Sequence, residues 1–188
     1  EKDGEVLEFT ILVPQSWAPL GPVLAEQFIE AGFKAEEQLD TANQWPNQVN
    51  VAEYDALAFV HCGSNFDPFD SFERFHSDCA GPSGEVIQGC GGQYAHRYAG
   101  NPKLDELIEL MEQTPPDTEN PQYVEWAKEA LDIYLQEMPT LILSEELHVI
   151  TMNETYWTGW PTADDPYIAP YPCWNAFTLA VFEIEPAQ

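Results

Sequence analysis

Residues 6–13 read VLEFTILV, an apolar and β-branched run that predicts a buried strand ended by Pro14. Leu20, Leu24, Phe28 and Ala31 then recur at helical spacing, with Pro22 near the start and Gly32 just beyond the end. Residues 33–39 predict a second strand with a polar middle. Residues 41–52 predict a short irregular helix interrupted at Pro46. The run ALAFV at 56–60 is apolar throughout and predicts an interior strand buried on both faces, followed by a loop over 61–68.

The second half of the chain is more helical. Residues 69–75 carry a weak helical pattern, and 78–92 form a Gly-rich loop. Leu104, Leu107, Ile108 and Met111 mark a helix opened by Asn101 and Pro102. The strongest helix has Asn120 as its N-cap and Pro121 as its first residue. Its apolar stripe is Tyr123, Trp126, Ala127, Ala130, Leu131, Tyr134, Leu135 and Met138, and Pro139 ends it. This helix is expected to pack on the sheet with Trp126 buried. Residues 140–143, 148–152 and 177–184 are short strand candidates. Alternating strands and helices followed by helices and short strands predict an α/β fold with a mixed sheet and flanking helices.

Composition narrows the class. The chain has 188 residues, 44% of them hydrophobic, enough for one sizeable core and too few for two full domains. Six basic residues face 33 acidic ones, a formal charge of -27. Nucleic acid and anionic membranes are poor partners for such a surface. The acids are scattered along the chain, which points to a protein adapted to concentrated salt. At about 1 M salt the Debye length is only about 3 Å, so self-repulsion is screened. No apolar run is long enough to span a bilayer, and the charged first residues carry no signal core. A mature product or a piece of a longer chain is therefore expected.

The residues that carry chemistry are sparse. No Gly-x-Ser-x-Gly elbow or phosphate loop occurs, and Gly89, Gly91 and Gly92 follow no strand. Cys62 beside a histidine has the makings of a nucleophile pair, but a bonded or buried thiol is the plainer reading. Adjacent acids such as Asp164 and Asp165 carry little weight among 33. The four cysteines lack metal-site spacing, so neither a metal nor a cofactor is expected. Cys79 and Cys90 bracket a Gly- and Pro-bearing loop and are the favoured disulfide, with Cys62 and Cys173 left as partners or thiols. Trp157, Trp160, Tyr167, Tyr171 and Trp174 crowd an aperiodic tail, where flat rings suit stacking on a ligand.

Two stretches resemble the family 5 solute-binding proteins. Residues 53–72, EYDALAFVHCGSNFDPFDSF, hold Tyr54 and Asp55 before a strand, then a loop ending in Asp67 and Pro68. Residues 98–143 hold Tyr98, Asn101, Pro102, Asp105 and Leu107, then Glu137 and Pro139. The N-terminal VLEFTILV with its helix and AGFKAEEQL is similar as well. The resemblance implies one lobe of a periplasmic-binding-protein-like fold over residues 1–155, and an aromatic tail over 156–188 returning toward a second lobe. It implies extracytoplasmic solute binding, not enzymatic turnover, with the membrane subunits of an ABC-type importer as partners and lipid anchoring through a preceding segment.

Two details guide the ligand expectation. The loop position where peptide-binding members hold the peptide ammonium with Asp is Ser64 here, which disfavours a peptide. The tail 156–167, YWTGWPTADDPY, is more like that of sugar-binding members. A β-linked oligosaccharide is therefore the expected ligand, held by His61, Ser64, Asn65 and Asp67 in the loop after 56–60 and by Trp157, Trp160 and Trp174 of the tail. An oligopeptide is the alternative. A small secreted glycoside hydrolase with paired carboxylates and a fragment that binds nothing are readings from other classes.

Overall fold

A computed structural model describes residues 4–40, 48–59, 67–87, 90, 97–144, 149–168 and 175–187. The chain divides into two compact units, Glu1–Leu141 and Ile142–Gln188.

The first unit begins with a parallel βαβ motif. Strand β1 (Glu8–Pro14), helix α1 (Leu20–Glu30) and strand β2 (Lys34–Asp40) follow one another, and β1 and β2 pair from Glu8↔Lys34 to Pro14↔Asp40. Strand β3 (Ala56–Leu57) pairs on the other side of β1, giving the order β2-β1-β3. Central position goes to β1 because Ile11, Leu12 and Val13 are buried in succession. The run at 56–60, expected inside, lies at the edge among the described residues: Ala56 and Leu57 are only half-buried and pair with β1 alone. The expected strand at 33–39 is β2, an edge strand whose Glu36 and Glu37 are exposed. Such charges discourage pairing with a further strand.

Alternation along β1 gives the sheet two different faces. Ile11 and Val13 pack with Leu24 of α1, Ala35 and Ala58, and Phe9, Phe28 and Phe33 meet edge to face at 5.1–5.9 Å beside them. Thr10 and Leu12 point the other way.

The helical part has its own core. Helix α2 (Pro68–Phe72), the 3-10 turn Glu73–Phe75, helix α3 (Pro102–Glu112) and helix α4 (Pro121–Glu137) enclose Phe72, Phe75, Leu104, Leu107, Ile108, Met111, Tyr123, Ala130 and Tyr134. Asn101 and Asn120 cap α3 and α4 by accepting from the backbone N–H groups of Lys103 with Leu104 and of Gln122 with Tyr123, and proline follows each cap. Met138 closes α4 in the left-handed region at φ 44, because Pro139 disfavours a helical residue before it.

Helix α4 packs on α3 and the 72–75 segment, where the stripe had suggested the sheet. The sheet already buries one face under α1, and the stripe of α3 matches that of α4. Five of the eight stripe residues are buried in or packed against this core, while Leu131, Leu135 and Met138 are exposed. Trp126, expected in the core, is partly buried at its margin, against Tyr123. The Cys79–Cys90 disulfide is formed, with Cα atoms 5.4 Å apart.

The second unit is small. Strands β4 (Trp157–Thr158) and β5 (Glu185–Pro186) form an antiparallel pair, and Asn175–Phe182 is a 3-10 helix. The strand expected at 177–184 is thus mostly helical, since a short apolar run does not declare its period. The described residues of 140–143 and 148–152 form no strand either. Leu141, Ile142, Leu143 and Val149 are exposed, and no described strand pairs with them. The fold class is α/β, with parallel strands in the first unit and antiparallel pairing in the second.

Candidate functional site

A strand order of β2-β1-β3 reverses direction at β1, and open α/β sheets hold ligands outside the carboxyl ends of strands at such a reversal. Here that place lies beyond Pro14 and beyond the end of β3. After β1 the chain turns through the 3-10 segment Gln15–Trp17, and the Trp17 ring lies 6.5 Å from that of Phe59, which follows β3. Trp17 was not among the residues expected at a site. Its signal in the sequence is its place: a tryptophan three residues past the end of a buried strand.

The described residues on either side of 60–66 are both held in place. Before that segment Ala58 N–H donates to the carbonyl of Leu12 at 2.9 Å. After it Asp67 caps α2: its Oδ1 accepts from Phe69 N–H at 3.0 Å and from the hydroxyl of Tyr123 on α4. Burial, and then the bond to Asp67, push the Tyr123 hydroxyl well above its ordinary pKa. Ala58 thus belongs to the sheet and Asp67 to the helical core. His61, Ser64 and Asn65, expected to contact ligand, lie outside the described residues. Asp67, expected beside them, has one oxygen engaged in the cap.

The paired motifs at 98–101 and 137–139 meet in space. Tyr98 and Asn101 both donate to the carboxylate of Glu137. These two bonds, the tyrosine's first, hold Glu137 below its ordinary pKa, while burial and Glu137 raise that of Tyr98. The cluster joins the start of α3 to the end of α4 and so fixes the helical pair that anchors Asp67. Likewise Asp55 Oδ2 accepts from Thr10 N–H at 3.0 Å, extending the β1–β3 ladder by a side chain.

In the second unit, Trp157 is 46% exposed and Tyr156 is more so. Trp160 is partly buried and its indole N–H donates to the carbonyl of Trp157 at 3.1 Å, while Tyr167 donates to that of Gly159 at 2.8 Å. Gly159 has φ 83, and a Cβ there would meet Glu183 O at 2.9 Å, so the turn requires glycine. Trp174 lies outside the described residues, as do Cys62 and Cys173. Among the described residues no group of His, Cys, Asp and Glu is arranged to hold a metal ion.

No family model matches the chain, and no curated protein matches it. Among solved structures, it is similar to the unliganded open form of MppA, a periplasmic murein tripeptide-binding protein. The TM-score is 0.54 at 14% identity, over 73% of this chain and 24% of that one. This chain therefore spans about a quarter of that protein's length. The likeness is one of fold, an α/β arrangement shared with part of a periplasmic binding protein.

Proposed function

We propose that the chain is part of the extracytoplasmic solute-binding component of an ABC-type importer, and that its ligand is a short peptide. The observation that carries this reading is the shared fold with a tripeptide-binding periplasmic protein. The strand reversal at β1 supports it, because open α/β sheets hold ligands outside the strand ends at such a reversal. On this reading the chain captures solute reversibly and passes it to membrane permease subunits, with 1–155 as lobe and 156–188 as returning tail.

A peptide now stands ahead of the β-linked oligosaccharide. The sugar expectation rested on Ser64 and on the likeness of the tail at 156–167, and the likeness to a tripeptide-binding protein weighs against it. The candidate ligand residues are Trp17, His61, Ser64, Asn65 and Asp67 in the first unit, and Trp157, Trp160 and Trp174 in the second. Asp67 caps α2 and is bonded to Tyr123.

Calorimetry with a set of tripeptides and with cello- and xylo-oligosaccharides tests the reading. Saturable peptide binding, weakened by Trp17→Ala and Asn65→Ala, is expected. Binding of sugars alone would restore the oligosaccharide. Turnover of any glycoside would overturn the binding-protein reading itself.

A further inference from the structure

A cavity of about 370 Å³ opens on the sheet face opposite α1. Thr10 and Leu12 of β1 and Gln38 of β2 form its wall, and Gln48, Glu53 and Arg97 border it. It is separate from the strand ends discussed above. Its volume falls in the range of small-molecule sites, about 300–1,000 Å³.

Arg97 is unusual in this chain. Lys34, Arg74, Lys103 and Lys128 each meet a carboxylate, at 3.6, 3.7, 3.0 and 3.2 Å. Arg97 meets none among the described residues, although the chain carries 33 acids. Its guanidinium donates to the backbone carbonyl of Asp55 at 2.9 Å and lies 5.2 Å from the centre of the Tyr54 ring. A neutral carbonyl and a ring face orient the fork without neutralising it. A guanidinium has five N–H donors in fixed geometry and pairs best with a carboxylate.

Gln48 supplies the complementary demand. Its Oε1 is buried and accepts no hydrogen bond among the described residues. Buried acceptors are normally satisfied, so this one calls for an N–H donor. Glu53 adds a carboxylate at the same cavity. A simple anion would satisfy Arg97 alone and would be repelled by a surface of charge -27. A molecule carrying both a carboxylate and an ammonium escapes that repulsion and answers both the guanidinium and the unsatisfied acceptor.

We propose that this cavity binds a small zwitterion of the α-amino-acid class, its carboxylate on Arg97 and its ammonium toward Gln48 and Glu53. The assignment does not depend on the peptide reading above, since it uses neither the strand ends nor the tail.

Heteronuclear NMR on the whole chain tests it. Neutral amino acids from glycine to glutamine are titrated to millimolar concentration, with acetate and methylammonium as the two halves of the ligand. The Arg97 Nε–H and Gln48 side-chain amide signals should move together and saturably with at least one amino acid. Acetate and methylammonium should each bind at least roughly tenfold more weakly. Arg97→Gln should lower affinity roughly ten- to a hundred-fold, and Arg97→Lys less, with circular dichroism melts confirming that both fold. Gln48→Leu, which leaves the arginine anchor intact, should also weaken binding. Absence of saturable movement with every amino acid overturns the proposal. So does acetate binding as tightly as the amino acids, or an affinity that Gln48→Leu leaves unchanged.

Discussion

The hydroxyl of Tyr123, on the first turn of α4, donates to Oδ1 of Asp67, which caps α2 56 positions earlier in the chain. This bond fastens the start of α2 to α4, and Phe69 N–H shares the same oxygen. Tyr123 is 3% exposed, so its hydroxyl has little access to water if Asp67 is lost.

Tyr123→Phe should therefore be milder than Asp67→Ala. The first removes a donor and costs roughly 1–2 kcal/mol. The second strands a buried hydroxyl and uncaps a helix, for roughly 2–4 kcal/mol. Chemical denaturation of both single variants and of the double variant measures the coupling. Fully additive costs would mean that the two groups do not interact.

The two sides of α4 should respond very differently to truncation. Phe75 is fully buried against Tyr134 at 5.2 Å between ring centres, and Phe75→Ala should cost about 3–5 kcal/mol. Leu135 is 54% exposed, and Leu135→Ser should stay within about 0.5 kcal/mol. Thermal or urea unfolding decides. A large loss at Leu135 would show that this side of the helix is covered in solution.

Acid should weaken the fold through Glu137. Its pKa is lowered in the folded chain by Tyr98 and Asn101, so the unfolded chain binds its proton more readily. The contribution is present above the ordinary glutamate value, about 4.3, and is lost as pH falls through the lower folded value. Glu137→Gln should flatten that acid limb of stability against pH. Asp40 acts in the opposite sense. It is 4% exposed at the end of β2, its Oδ1 has no partner among the described residues, and burial raises its pKa. Stability should fall as pH rises from its unfolded value, about 3.9, to its raised folded value. Asp40→Asn should raise the melting temperature at neutral pH, and no change there would dismiss the cost of this buried charge.

Salt should stabilise the chain. The described ion pairs are few against a net charge of -27, and most involve side chains well exposed to water. Screening of the remaining acids should raise the melting temperature from dilute buffer to molar potassium chloride. A flat response would remove the inference of adaptation to concentrated salt.

Local signals were legible in the sequence wherever the cause lies within a few residues. The N-caps Asn101 and Asn120, the prolines that follow them, the stop at Pro139 and the apolar run of β1 all act on adjacent backbone, so their positions followed from side-chain chemistry. The Cys79–Cys90 pairing was legible for the same reason, across a short loop. Partners distant in sequence were decided by tertiary structure alone. The stripe of α4 promised burial but did not name the surface, and α3 with Phe75 covers it where the sheet was expected. Strand order made β1 central and drew Trp17 to Phe59. Side-chain chemistry sets what a residue needs. Which neighbour meets that need, as Asp67 meets Tyr123 and Glu137 meets Tyr98, depends on how separate elements pack, and no local pattern records it.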